Sequence, residues 1–261
     1  MRLRFGVYRH EAVGKKFAEL LCGWRKECNN SMADNTGVRI NKFLSEAGVC
    51  SRREADRMVE QGRITIDDKP VTAGTRVHDG AVVRVDGRQV TKEEEEIFLA
   101  FYKPKGIVCT TAQEENGEPI KNVVDYIDYP KRVYPVGRLD QASEGLLLLT
   151  NQGDVMEKIL RSRYGHEKEY FVKVDRPIRD EDLRKLAAGV PILDTVTKPC
   201  KVWREDADSF HIRRMCEYLD YRVTHLRRDR VMNITLKGLK KGRYRSLTPM
   251  EIRVLRKELE R

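Results

Sequence analysis

The sequence lacks the features that mark membrane, secreted and metal-binding proteins. Of its 261 residues 40% are hydrophobic, yet no apolar run approaches the ~20 residues that span a bilayer. The six cysteines are scattered without a Cys-x-x-Cys pair and the five histidines do not cluster, so no metal site is predicted. No segment resembles a secretory signal. We therefore expect free thiols and a cytoplasmic protein without membrane contact.

Acidic residues are in deficit relative to basic ones. Lysine and arginine number 51 against 41 aspartates and glutamates, which gives a formal charge of +10. This surplus suits a polyanionic partner such as a nucleic acid, although net charge governs association rather than fold. A basic protein of ordinary solubility is the alternative interpretation of composition alone.

The segment after residue 37 has the pattern of two helices and a small sheet. Apolar residues recur at helical spacing from Ile40 to Ala47. Ser51 then begins a Ser-x-x-Glu capping box for a second helix, which Gly62 ends. Alternating segments at 63–66 and 82–85 predict short strands.

Basic side chains gather on these two helices. Arg52, Arg53 and Arg57 lie near one face of the second helix because residues four apart are neighbours. Arg39 and Lys42 come from the preceding helix. Charged helix faces are usually just solvated, and the alternative is contact with phosphates, which releases counterions from a nucleic acid.

The remaining chain predicts a larger domain of mixed helices and strands without a regular βαβ alternation, which favours α+β with a mostly antiparallel sheet. Strands are predicted at 97–101, 170–174 and 232–236, and helices at 154–160, 180–188 and 249–259. The acidic run Glu93–Glu96 predicts a linker. The predicted parts are an extension (1–37), a small domain (38–92), the linker (93–96) and a large domain (97–261).

The extension, residues 1–37, carries only a weak helical stripe. We expect it to be disordered or to lie outside the native chain, with Met32 as the alternative initiator. The functional alternative is a basic arm that grips RNA.

A single aspartate stands out between Gly137 and Leu147. Asp140 lies two residues after Arg138 and just before the apolar run Leu146–Leu149. Apolar surroundings disfavour a charged carboxylate and a nearby guanidinium restores it, which is typical of a reactive carboxylate. A plain surface turn is the alternative, since glycine and aspartate are common in turns.

The pattern Gly-Arg-Leu-Asp-x-x-Ser-x-Gly-Leu resembles the catalytic signature of the pseudouridine synthases, in the branch that joins this domain to a small S4-like RNA-binding domain. The resemblance runs from about Val38 to the C-terminus and includes Asn41-Lys42-Phe43-Leu44, Lys103-Pro104-Lys105-Gly106, Glu167-Lys168-Glu169-Tyr170 and Ile212-Arg213-Arg214-Met215. It implies a monomer that isomerises uridine to pseudouridine in a structured stem-loop of ribosomal RNA, expected in the large subunit. That reaction formally requires no cofactor.

The resemblance also implies roles for individual residues. Asp140 would add at ribose C1′ or stabilise positive charge there. Arg213 would hold it through a bidentate pair, and Tyr170 would stack on the uracil, with core packing as its alternative. Three further residues are expected to contact RNA together with the basic residues of the small domain: Lys103, Arg138 and Arg214.

The sequence departs from the family just before Ile212. Relatives carry a strand and a turn there, whereas this chain runs directly from Phe210 and His211 into Ile212, about ten residues shorter. Removing an internal strand leaves its neighbours without hydrogen-bond partners. We therefore expect a displaced Arg213 and low activity, or an error in the sequence. A non-catalytic RNA-binding or ribosome-associated protein is the alternative function.

Overall fold

The computed structural model describes residues 4–7, 37–91, 95–115, 117–160, 166–193, 195–197, 199–203 and 209–260. Most of the predicted extension and the first half of the predicted linker lie outside these residues. So do residues 204–208, which lie just before the position of the missing strand. Strand β1 (Arg4–Val7) belongs with the larger of two compact units, and the chain divides between Glu94 and Glu95.

The small unit confirms the predicted helices and small sheet. Helix α1 (Ile40–Glu46) begins directly after strand β2 (Val38–Arg39). Ser51 caps helix α2 (Arg52–Glu60) by accepting a hydrogen bond from the backbone N–H of Glu54. Apolar side chains of both helices pack on strands β3 and β6 around the buried Leu44 and Ile64. The elements are β2 (Val38–Arg39), α1 (Ile40–Glu46), α2 (Arg52–Glu60), β3 (Ile64–Ile66), β4 (Lys69–Pro70), β5 (Arg76–Val77), β6 (Val83–Val85) and β7 (Arg88–Val90).

The large unit is built on one central sheet. Its elements are β8 (Phe98–Lys103), β9 (Glu114–Glu115), β10 (Glu118–Pro119), α3 (Val123–Ile127), β11 (Tyr134–Val136), β12 (Glu144–Thr150), α4 (Gly153–Leu160), β13 (Lys168–Val174), α5 (Asp180–Ala188), β14 (Pro191–Ile192), β15 (Thr195–Val196), β16 (Cys200–Trp203), α6 (Ser209–Tyr218), β17 (Val223–Val231), β18 (Ile234–Thr235), β19 (Tyr244–Ser246) and α7 (Pro249–Leu259).

The central sheet has the order β13-β17-β12-β8-β19, with β11 beside β12 and β18 beside β17. Every pair in it is antiparallel except β12 with β17. The predicted α+β class with a mostly antiparallel sheet is therefore confirmed.

The two faces of this sheet bury different cores because side chains alternate along a strand. Leu147 and Leu149 of β12 pack in one core with Tyr170 and with residues of α5 and α6. Leu146 and Leu148 face the opposite core, beneath α4 and α7. The all-apolar run of β12 is thus buried on both sides.

One strand prediction was wrong in position. The strand expected at 232–236 shrinks to β18, and the long strand is β17, which the sequence did not predict. Four of the nine residues in its sequence, Val-Thr-His-Leu-Arg-Arg-Asp-Arg-Val, are charged. These charged residues mask the alternating pattern that would predict a strand, although Leu226 and Arg228 are both buried.

Two observations bear on the predicted extension and linker. Strand β1 pairs antiparallel with β16, from Arg4 opposite Trp203 to Val7 opposite Cys200, so part of the extension is in the fold. In the linker, Glu95 pairs with Lys131 at 2.5 Å, and Glu96 pairs with Arg256 of α7. Among the described residues, no helix is long and apolar enough to span a membrane.

Candidate active site at the Asp140 turn

Asp140 lies in the turn that joins β11 to β12, at the end of the central sheet. The turn leads into β12, whose second residue, Gly145, has a positive φ of 121°. A Cβ on Gly145 would lie 2.3 Å from the carbonyl oxygen of Arg228 in the parallel neighbour β17. Only glycine therefore permits the close approach of these strands beneath the turn.

The Asp140 carboxylate is 38% exposed and has two partners. The Ser143 hydroxyl lies 3.4 Å from its Oδ2, and Nε of Arg213 lies 3.9 Å from the same oxygen. Nη2 of Arg213 also donates to the Ser143 hydroxyl oxygen at 3.3 Å. The predicted bidentate ion pair is therefore wrong in its geometry: the guanidinium reaches the carboxylate through one long contact and through Ser143.

Arg213 approaches Asp140 even though the chain before α6 is short, so the expected displacement did not occur. Helix α6 is held in place by three apolar side chains that are buried in the core beneath the sheet: Ile212, Met215 and Cys216. Nη1 of Arg213 donates to the carbonyl of Val223 at 3.3 Å, which ties the side chain to the start of β17. The packing of α6 against the core therefore fixes the Arg213 side chain, without the strand that relatives carry before this helix.

The structure disfavours the predicted contact of Lys103 with RNA, because the residue is 0% exposed. Its ammonium group donates to the carbonyls of Pro104, Asp140 and Ser143 at 3.0, 3.1 and 2.8 Å. Three acceptors use all three ammonium donors. Burial lowers the pKa of Lys103, partly offset by nearby Asp140. Lys103 therefore holds the Asp140 turn from beneath.

Tyr170 of β13 is 1% exposed and lies in the core. The guanidinium carbon of Arg228 is 6.0 Å from the centre of its ring. This burial agrees with the packing alternative, and stacking on a base would require the covering groups to move. Its role at the uracil stays a prediction.

The other predicted RNA contacts lie at the surface. In the large unit, Arg138 and Arg214 are exposed. In the small unit, Arg39, Arg52, Arg53 and Arg57 are exposed, and Lys42 is half-buried, 3.6 Å from Glu46. Arg39 belongs to β2 rather than to a helix. Arg57 is paired with Glu54.

Sequence reasoning missed Arg228, which is central to this site. Its side chain is 3% exposed and donates from Nε to the carbonyl of Leu146 at 2.7 Å. Nη1 lies 3.5 Å from the carbonyl of Arg138, on the other side of the Asp140 turn. The sequence held one signal for the burial of Arg228. It lies two residues after the apolar Leu226, so the two side chains share one face of β17.

A buried carboxylate, Glu144, follows the Asp140 turn as the first residue of β12. It accepts from Lys241 at 2.9 Å and from the Tyr102 hydroxyl at 3.1 Å. Burial alone would raise the pKa of Glu144, but these two hydrogen bonds outweigh it and the pKa is lowered. Glu144 is therefore a structural anion with its own cation.

The site thus presents one partly exposed carboxylate on a turn fixed by buried cations. Such a carboxylate can add to an electrophilic carbon or stabilise positive charge on it. It has no nearby second carboxylate within the turn to act as the acid of a hydrolase pair. Fold and site together fit the predicted class, an enzyme with one accessible carboxylate and an attached RNA-binding module.

Comparisons with known proteins agree with this class. The profile of the RNA pseudouridylate synthase family matches residues 97–220, and that of the S4 domain matches residues 38–83. The dual-specificity RNA pseudouridine synthase RluF of Salmonella typhi is 48% identical over 241 residues, covering 88% of this chain and 82% of the relative. The chain therefore belongs to the RNA pseudouridine synthase family.

Two further similarities cover most of the chain. The ribosomal large subunit pseudouridine synthase B of Bacillus subtilis is 35% identical over 236 residues, covering 84% of this chain and 95% of the relative. A crystal structure of a pseudouridylate synthase, 25% identical, aligns with a TM-score of 0.56 over 84% of this chain and 100% of that one.

Proposed function

We propose that this enzyme isomerises a specific uridine of ribosomal RNA, in a stem-loop of the large subunit, to pseudouridine. The catalytic carboxylate is Asp140. The contact network of Asp140, Ser143 and Arg213 supports the proposal most directly, because it holds one carboxylate at an accessible turn. The large-subunit substrate follows the relative from Bacillus subtilis, whose name specifies that subunit.

The chemistry requires that the bond from ribose C1′ to uracil N1 break and that the same ring reattach through C5. Asp140 stabilises or captures C1′ while the base is detached. The proton leaves C5 and N1 gains one, so no atoms are lost and no redox partner is needed. Arg213 keeps the carboxylate oriented, and Tyr170 contacts the detached ring.

Reaching a base in a folded RNA requires that the nucleotide leave its stack and enter the pocket. Arg138 is exposed beside Asp140 and is placed to follow the backbone or fill the vacated space, while Arg214 suits a phosphate. In the small unit, Arg39, Lys42, Arg52, Arg53 and Arg57 bind the phosphates of the stem.

The enzyme acts as a monomer in the cytoplasm. Two of the described cysteines, Cys109 and Cys216, are free thiols, which suits a reducing compartment.

A non-catalytic RNA-binding protein is the competing function, and it was motivated by the short chain before α6. That function requires a broken active site. The 3.9 Å approach of Arg213 to Asp140 favours an intact one.

Asp140→Asn tests the proposal. The substitution keeps the size of the side chain and removes its charge, so we expect pseudouridine formation to fall by at least ~10³-fold while affinity for RNA stays within a few-fold. Chemical mapping of pseudouridine in ribosomal RNA measures the product, and filter binding measures affinity. Activity of the Asn variant near that of the parent would contradict the role of Asp140. An inactive parent that binds RNA would favour the non-catalytic function.

A further inference from the structure

Arg228 is a buried cation with an unused donor and no carboxylate partner. Its Nε and Nη1 donate to the carbonyls of Leu146 and Arg138, and Nη2 finds no acceptor among the described residues. Arginine is almost never fully buried unless it is paired, because removing a charge from water is costly. The fold retains this charge beside the catalytic turn.

The surroundings of Arg228 are positively charged as well. Lys103 is fully buried, and its ammonium group donates to three carbonyl oxygens. Burial lowers the pKa of Lys103, and the nearby charge of Arg228 lowers this pKa further. Arg213 is the third cation at the turn, and Asp140 is the single carboxylate. Glu144 does not restore the balance, because Lys241 already pairs with it. The turn is thus richer in positive than in negative charge.

The proposed reaction produces negative charge at this place. When the C1′–N1 bond breaks, its electron pair stays with N1, and the detached uracil becomes an anion close to the negative carboxylate of Asp140. The ring that is expected to contact this base, Tyr170, lies 6.0 Å from the guanidinium carbon of Arg228. A buried charge is screened little by water or salt, so its field acts over this distance.

We propose that Arg228 stabilises the detached uracil anion through its fixed positive charge, in addition to tethering the two sides of the Asp140 turn. The inference rests on the proposed isomerisation. The C1′–N1 bond breaks, N1 keeps the electron pair, C5 then bonds to C1′, and the C5 proton is exchanged for one on N1. Arg228 keeps its own proton throughout.

Two substitutions separate charge from tethering. Arg228→Lys keeps the charge but lacks the planar guanidinium whose Nε and Nη1 reach the carbonyls of Leu146 and Arg138. Arg228→Gln keeps a planar donor but removes the charge. Single-turnover rates at saturating RNA, RNA affinity and thermal melts are measured for each. Arg227→Gln is the matched control. Arg227 directly precedes Arg228, so its side chain lies on the other face of the sheet, and it is paired with Asp229.

We expect Arg228→Gln to lower the single-turnover rate by ~10²-fold, the usual effect of losing one electrostatic stabiliser, with RNA affinity unchanged. Arg228→Lys should stay within about tenfold of the parent, and Arg227→Gln should match the parent. Equal losses in the Lys and Gln variants would overturn the proposal and leave only tethering. So would a Gln variant as fast as the parent.

If Arg228→Gln does not fold at the assay temperature, the Lys variant decides alone. A rate within about tenfold of the parent supports the role of charge, and a loss of ~10²-fold contradicts it. The parent is assayed first on ribosomal RNA. An inactive parent overturns the proposed function itself, whereas an active parent with these Arg228 outcomes tests only the present inference.

Discussion

The basic residues of the two units are held in opposite ways. In the small unit, Arg52 and Arg53 project from α2 into solvent. In the large unit, Lys103 and Arg228 are buried and bonded to backbone carbonyls. Exposed charges act through water and are screened beyond about 10 Å at ordinary salt. Buried charges are not, so the proposed function assigns the same residue types to RNA binding in one unit and to the reaction site in the other.

The difference also separates affinity from rate. A flexible exposed arginine can contact a phosphate wherever the backbone runs, which raises affinity without selecting a sequence. A fixed buried cation contributes nothing to initial attraction but needs no reorganisation when charge develops in the reaction. Substitutions in the small unit should therefore change binding and its salt dependence, and those beneath the turn should change the rate.

The largest effect is expected from Lys103→Met. It removes a buried charge, leaves the carbonyl of Ser143 without its donor and leaves the carbonyl of Asp140 with only the backbone N–H of Ser143, so the turn should loosen. We expect the single-turnover rate to fall by ~10²–10³-fold and the stability of the domain by ~1–3 kcal/mol. Lys105→Met, in the same loop but exposed, is the control. A parent-like rate in Lys103→Met would remove the contrast between the units.

An intermediate effect is expected from replacing Arg52, Arg53 and Arg57 together by alanine in the full chain. Each phosphate contact contributes roughly 0.7–0.9 to the slope of log affinity against log salt. Arg57 is already paired with Glu54, so the slope should fall by about 1.5–2, mainly through Arg52 and Arg53, while the rate at saturating RNA stays unchanged. Salt titrations of RNA binding measure this.

The control for that experiment is the pair Arg63→Gln and Arg84→Gln in the small unit. Arg63 is paired with Asp86 at 2.6 Å and Arg84 with Asp68, so they already have partners. Their substitution should leave the slope nearly as it is. An unchanged slope in the triple variant would mean that the three α2 arginines are only a solvated face.

The smallest effect is expected from deleting residues 1–9, which removes β1 from beside β16. We expect β1 to compensate in part for the strand that is missing before α6. Its loss should lower the melting temperature by about 3 °C, as for ~1 kcal/mol in a domain of this size. Amide exchange at Cys200–Trp203 should accelerate, while that of β8 and β12 should not. Unchanged melting and exchange would favour Met32 as the start of the folded chain.

Much of the fold was predictable because local signals were strong and mutually consistent. The Ser51 cap lies at the start of α2, as predicted, and α7 begins at the predicted residue 249, where Thr248 and Glu251 form a capping box. Gly48 and Gly62 follow their helices with positive φ. Strand β17 escaped prediction because its charged residues hide the alternation, and their burial depends on neighbours far away in sequence.

The site was predictable only in part. Asp140 and Arg213 could be selected from their motifs, and the structure brings them within 3.9 Å. The burial of Lys103 could not be predicted, because a lysine in a sequence gives no sign of being desolvated. The burial of Arg228 had only the weak signal of its spacing from Leu226, and its contact with the turn had none. The expectation that a short segment before α6 displaces Arg213 was wrong, because it ignored the apolar side chains of α6 that anchor the helix.

The sequence by itself determined the two-module organisation, the caps of its helices, the apolar strand β12 and the aspartate in the turn before it. These depend on local spacing and on residues within a few positions of one another. Tertiary structure alone decided which cations surround Asp140. Arg228 reaches the turn from 82 residues beyond Leu146, through a parallel strand pair that only Gly145 permits. Burial, which gives that charge its strength, is a property of the assembled core.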